Sequence, residues 1–155
     1  MGITPMFGSG LIAAQVAAFQ KRVEEAAIFL CKYLGEELVK YAKDKHNYTD
    51  RTGNLTNSIS YVVVKNKDIV FGPADQSDKP QEAALKAAMK MIATLPDCVA
   101  LVIVAGMNYA AYVEAKGYNV ILPAELKAKT DFPKAMQKLM DKAKAKANEM
   151  FGMTI

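Results

Sequence analysis

Histidine is nearly absent from this chain: His46 is the only one in 155 residues. Histidine is the usual general base and the commonest metal ligand, so its scarcity removes any site that needs two imidazoles. His46 itself falls in a polar stretch and reads as a solvated residue at a helix end. Cysteine is scarce too. Cys31 and Cys98 cannot define a disulfide scaffold and have no Cys or His near them in sequence, so both are expected to be reduced and buried. A nucleophile made from either cysteine with His46 stays open as an alternative, with no local pattern in its favour.

Other absences narrow the field further. No apolar run approaches the ~20 residues needed to span a bilayer. The run Leu11–Phe19 has no Lys or Arg before it and is interrupted by Gln15, so no secretory signal is expected. Without export, the glycosylation patterns Asn47-Tyr48-Thr49 and Asn54-Leu55-Thr56 carry no meaning. Met6 stands where a myristoylation site wants Ser or Thr. Gly8-Ser9-Gly10 lacks the Gly-Lys-Ser/Thr ending of a phosphate loop. Asp75 and Asp78 lack the ordered spacing of a calcium loop, and the carboxylates of Glu24-Glu25 and of Glu36-Glu37 diverge on a helix. The expectation is no catalytic residue, no cofactor, no metal and no membrane partner, in a protein made and used in a cytoplasm.

What is present is enough apolar residue, 52% of the chain, to build one core. The net charge is +4, too small by itself to declare a nucleic-acid binder. Its placement is uneven. Seven Lys face three acids between Lys127 and Glu149, so the final segment holds the whole surplus.

The pattern predicts a flexible arm over residues 1–10, rich in glycine, and a single α+β domain over 11–155. A helix is expected from about Leu11 to Lys45, where Phe19, Val23, Ala26, Leu30, Leu34, Leu38 and Tyr41 fall on one face. Such a helix is about 50 Å long at 1.5 Å per residue. That exceeds the width of so small a domain, so either it packs partly on another chain or it breaks at Gly35. Thr52 is placed to cap a short turn through Leu55 and Ile59. Ser60–Val64 and Ile69–Gly72 read as a hairpin around Asn66-Lys67-Asp68. A helix from Pro80 to about Thr94 is expected to place Leu85, Ala88, Met89 and Ile92 on its apolar side. The unbroken apolar run Val99–Ala105 reads as a central strand. Tyr109–Lys116 reads as a short helix or bent strand ended by Gly117, Tyr118–Ile121 as a short strand, and about Phe132–Phe151 as the last helix, with Phe132, Met136, Leu139, Ala143, Ala147 and Met150 as its stripe. The architecture expected is long amino- and carboxy-terminal helices packed on a small, largely antiparallel sheet.

Three groups are candidates for contact with a partner. Arg51, Thr52, Gly53, Asn54 and Leu55 combine a fixed turn with an exposed arginine suited to an interface. Tyr109, Tyr112 and Glu114 form a second group, and an Arg51–Glu114 contact, within one subunit or between neighbours, is an expectation. The polar loop Pro73–Lys79, with Asp75 and Asp78, is the third. Separately, Lys134, Lys138, Lys142 and Lys146 step by four along the last helix. They form either a solvated face or a strip facing phosphates, without interleaved aromatics for base stacking.

Thr49-Asp50-Arg51-Thr52-Gly53-Asn54-Leu55-Thr56-Asn57-Ser58-Ile59 resembles the R-T-G-x-L-x-x-S-I signature of the tail-completion and head–tail joining (neck) proteins of long-tailed bacteriophages. Tyr109-Ala110-Ala111-Tyr112-Val113-Glu114-Ala115-Lys116-Gly117 resembles that family's Y-A-x-Y-V-E-x-G. Their order also agrees: long helix, first motif, hairpin, second motif, last helix. Lys116 is an extra residue before Gly117, and Gly117–Pro123 replaces the family's Gly-Thr and Pro-rich stretch. The resemblance implies a non-catalytic virion protein of a phage or prophage. It would assemble as a homo-oligomeric ring, most often hexameric, between neighbouring neck and tail-tube proteins. A lysine strip facing the lumen would touch passing DNA without reading its sequence. A small basic DNA-associated or DNA-packaging accessory protein is the alternative reading.

Overall fold

A computed structural model describes residues 9–49, 53–72, 79–107 and 110–152. The first helix, α1, spans Ser9–Asp44 without interruption. It begins two residues before the expected start and takes in the last two residues of the expected arm; residues 1–8 lie outside the described residues. A single turn of helix, α2 (Asn54–Asn57), leads into strand β1 (Ile59–Lys65), which returns as β2 (Asp68–Phe71). Asn66 and Lys67 take positive φ of 49° and 69°, as the two-residue turn that matches strand twist requires. Helix α3 (Lys79–Ile92), strand β3 (Val99–Ala105), the short helix α4 (Ala110–Ala115) and the last helix α5 (Leu122–Phe151) complete the order.

The three strands pair antiparallel in the order β2-β1-β3, so the fold is α+β as expected. The central strand is β1, however, and β3 is an edge. An unbroken apolar sequence shows that both faces of a strand are covered, which holds for an edge strand as well as for a central one. Side chains alternate across β1. Ile59, Tyr61 and Val63 join Leu34, Leu38 and Ala42 of α1 in one core. Val62 and Val64 face Ala84, Ala88 and Ile92 of α3 in a second, with Val102 and Val104. Met89, expected on the apolar side of α3, is instead 59% exposed. The small residues Ala84 and Ala88 form the contact because they let the helix lie close to the sheet.

Helix α1 passes straight through Gly35. That glycine serves packing: a Cβ built there would stand 2.4 Å from the Tyr61 ring. The ring is fixed by stacking on Phe71 at 5.6 Å and by its hydroxyl, which donates to Glu36 Oε1 at 2.8 Å. Burial first, and then that bond, hold the Tyr61 phenol well above its ordinary 10.0.

Helices α1 and α5 run antiparallel along one another. The Phe19 and Phe151 rings meet edge to face at 5.7 Å, and at the opposite end Lys127 Nζ lies 5.4 Å over the Tyr41 ring. Helix α5 starts at Leu122, ten residues before the expected start at Phe132. Pro123 sits in its first turn, where a missing N–H costs nothing. Pro133 lies inside the helix and removes one hydrogen bond without ending it, because the turns on both sides are packed. The expected strand Tyr118–Ile121 is an irregular connection, held by its backbone N–H groups on Glu114 and Asn47 instead of on a strand.

Alanine at position 35 is expected to reverse the usual helix rule. Gly→Ala in a helix interior normally gains about 1 kcal/mol; here Gly35→Ala should cost about 1–3 kcal/mol through overpacking on Tyr61. Urea unfolding monitored by circular dichroism checks it.

Candidate functional site

Ser58, at the end of the first stretch singled out in the sequence, is a fully buried polar residue. Its hydroxyl donates to the Leu55 carbonyl at 2.7 Å, closing the turn that α2 begins. The Ser58 carbonyl accepts from Gly106 N–H at 3.1 Å, and the Met107 N–H approaches the Ser58 hydroxyl at 3.4 Å. Thus the end of the first stretch holds the chain that enters the second. Leu55 and Ile59, with 2% and 0% exposure, anchor the turn in the main core. Gly53 carries φ of 74°. Tyr48, buried beside the turn, shares a hydrogen bond with Thr56 at 2.9 Å.

Glu114 has a role that the sequence reading missed. Its Oε2 accepts from the Val120 N–H at 2.6 Å and its Oε1 from the Leu122 N–H at 2.7 Å. Leu122 is the first residue of α5, whose own N-cap position, Ile121, offers no side-chain cap. The carboxylate thus caps α5 from a different helix and places negative charge at its positive end. Gly117, at φ 87°, gives the reversal that brings the chain back to Glu114 within a few residues. The capping signal was hidden because cap and helix are separated by a loop. Asn119 fixes the same loop to the end of α1: its N–H donates to Asn47 Oδ1 at 2.6 Å and its side chain to the Lys45 carbonyl at 3.3 Å.

The remaining expected contact residues divide. Arg51, Thr52, Asp75, Asp78 and Tyr109 lie outside the described residues, as do the side chains of Asn54 and Tyr112. Glu114 uses both oxygens on backbone donors. Among the described residues, Lys134, Lys138 and Lys142 have no carboxylate partner, whereas Lys146 pairs with Glu149 at 3.5 Å. Lys134, Lys138 and Lys142 border a groove of about 410 Å3 between α5 and α1, with Phe29 on its other wall. Phe29 is 73% exposed. An aromatic therefore does stand beside the lysine row, contributed by the other helix, which no pattern within α5 could announce.

The thiols differ from expectation. Cys31 is buried, and burial pushes it from 9.0 up to about 11, the reverse of an activated nucleophile. Cys98 is exposed, contrary to the buried reading; it lies just before β3, where its carbonyl accepts from the Asn66 N–H at 3.0 Å. His46 is exposed and its Nδ1 bonds the Lys43 carbonyl at 2.5 Å, as a residue at a helix end would. Among the described residues no three His, Cys, Asp or Glu side chains gather where a metal could be held. No described helix is long and apolar enough to cross a membrane.

Comparison of the chain with protein-family profiles, with curated proteins and with solved structures finds no match.

Removing the Glu114 carboxylate leaves the N–H of buried Val120 and that of Leu122 without acceptors. Glu114→Ala should lose about 1–3 kcal/mol of stability in urea unfolding, with α5 exchanging amide hydrogens faster at its start. Cys31 supplies a pH test. A pKa raised on folding gives stability that is complete below about 9 and is lost as pH rises through about 11. The stability difference between wild type and Cys31→Ala should therefore shrink across that window, measured by unfolding at a series of pH values.

Proposed function

We propose that this chain is a structural subunit of the head–tail junction of a long-tailed bacteriophage or prophage, a tail-completion or neck protein that does no chemistry and acts by assembling. The observation that carries the reading is the pair of motifs, Arg51–Ile59 and Tyr109–Gly117, in the family's order within a matching succession of elements. The tie from Ser58 to Gly106 and Met107 supports it, because it sets the end of the first stretch beside the chain that leads into the second. An assembling role is further supported by large apolar side chains left on the outside, among them Leu11, Ile12, Val16, Phe29 and Tyr33. A monomer with no partner gains nothing from displaying them.

In this reading the subunits form a closed ring, most simply a hexamer, seated between neck and tail-tube neighbours in the virion after synthesis in the host cytoplasm. A ring requires two different surfaces on each subunit that fit head to tail. The lysine row of α5 favours one alternative reading, a DNA-associated or packaging accessory protein. Lys134, Lys138 and Lys142 are unpaired by carboxylates among the described residues and stand beside exposed Phe29.

A stop codon early in this gene, in a phage that carries it, separates the two. The junction role predicts DNA-filled heads and complete tails that fail to join, with infectivity restored by the gene supplied in trans. Electron microscopy of the lysate reads this directly. Joined, infectious particles would overturn the proposal, and an accumulation of empty heads would transfer it to packaging.

A further inference from the structure

Midway along their run, α1 and α5 meet through small residues and leave a groove. Ala26 and Ala135 are too short to fill the space between the helices, and Leu30 and Leu139 beside them stay half-buried. The groove, of about 410 Å3, is therefore floored by apolar side chains. Its two walls differ. On the α5 side stand Lys134, Lys138 and Lys142, four residues apart and so on successive turns over about 12 Å. On the α1 side stands Phe29, with Tyr33 one turn further on, and both rings are exposed.

The positive charge of this row is uncompensated. Elsewhere on α5, Lys127, Lys129 and Lys146 each pair with an acid of the same helix. The acids that flank the row along α5 are engaged: Asp131 with Lys127 at 2.6 Å, and Asp141 as acceptor from Gln137 at 2.9 Å. Across the groove, Glu37 accepts from the Tyr33 hydroxyl at 2.8 Å. Lys134, Lys138 and Lys142 have no carboxylate partner among the described residues. Unpaired cations along one rim of an apolar floor, with a bare aromatic on the other, call for an occupant that is acidic on one side and apolar beneath.

We propose that this groove takes an acidic amphipathic helix of a different protein, laid along α1 and α5 as a third helix. Such a helix has the same rise per residue as α5. Carboxylates four residues apart on it therefore meet the three lysines one for one, while its apolar face fills the floor against Phe29. A second copy of this chain does not supply it, because nowhere in the 155 residues do three acids follow one another at four-residue steps. Nucleic acid matches the groove less well. A duplex offers phosphates but no apolar face for the floor, and a single strand needs a basic channel around its rings, where the α1 wall brings the Glu37 carboxylate instead. The docking does not rest on the junction reading; it adds to it the chemistry of one neighbour.

Fluorescence anisotropy with the purified full-length protein tests it. The probe is a labelled helical peptide with Glu at every fourth position and Leu along the adjoining face. The same peptide with Gln for Glu, and labelled single- and double-stranded DNA, are the comparisons. The acidic peptide should bind, and added salt should weaken it. Lys134→Glu with Lys138→Glu should abolish binding, and Phe29→Ala should weaken it about tenfold. Neither change should move the melting temperature, because all three side chains are exposed. Lys90→Glu, on α3 against the other face of the sheet, should leave binding as it was. Equal binding of the Gln peptide, binding that survives the lysine changes, or no binding of the acidic peptide at any attainable concentration would overturn the proposal. Tighter binding of DNA, lost with the same lysines, would overturn it in favour of nucleic acid. The peptide reports on the groove alone, so its failure leaves the junction role to the gene-disruption phenotype.

Discussion

The close approach of α1 to the sheet, with Gly35 against the Tyr61 ring, is the contact on which the rest depends. Only a residue without a Cβ leaves room for the ring. With the ring in place, Ile59, Tyr61 and Val63 reach Leu34, Leu38 and Ala42, and the main core closes. That core buries β1 on one face while α3 buries it on the other, so the least exposed strand is also the one that pairs on both edges. The position of α5 follows from α1, and Glu114 follows from the start of α5. A shift of α1 away from the sheet would reach every other element.

Much of this architecture was legible in the chain. Helical periodicity from Phe19 to Tyr41 found α1 and its buried face, and β-branched runs found all three strands. The rank of the strands within the sheet was not legible. Val99–Ala105 looks central because helices cover both of its faces, and coverage carries no information about strand order. The start of α5 was missed because Tyr118–Ile121 reads as a strand that Pro123 closes. That proline instead sits in the first turn of the helix, where its missing N–H does not matter. Gly35 looked like a weak point in a helix and is a close-approach site, a distinction that depends on a ring 26 positions away.

The sequence singled out stretches of the candidate site but not the roles of the residues within them. Leu55–Ile59 spans the junction of α2 and β1, and Val113–Glu114 lies in α4. Yet the residues with clear structural roles there, Ser58 as a tie and Glu114 as a cap, act on backbone N–H and carbonyl groups of other elements. Sequence spacing encodes partners on the same helix face, three or four positions away; it does not encode a carboxylate capping a helix across a loop. The lysine row shows the same limit. Its spacing was plain, but Phe29, the aromatic next to it, comes from α1. Exposed apolar residues were likewise invisible as such: Leu11, Ile12 and Val16 read only as part of the apolar run Leu11–Phe19, and their exposure shows only in the fold.

In the proposed reading, assembly with neighbours would account for a 36-residue helix that carries large apolar side chains such as Phe29 and Tyr33 on its outside. Electron cryomicroscopy of particles from a phage encoding this chain tests that account most directly. The account predicts a closed ring of copies at the junction of capsid and tail tube. Particles that lack the chain, or that hold it elsewhere in the virion, would contradict it.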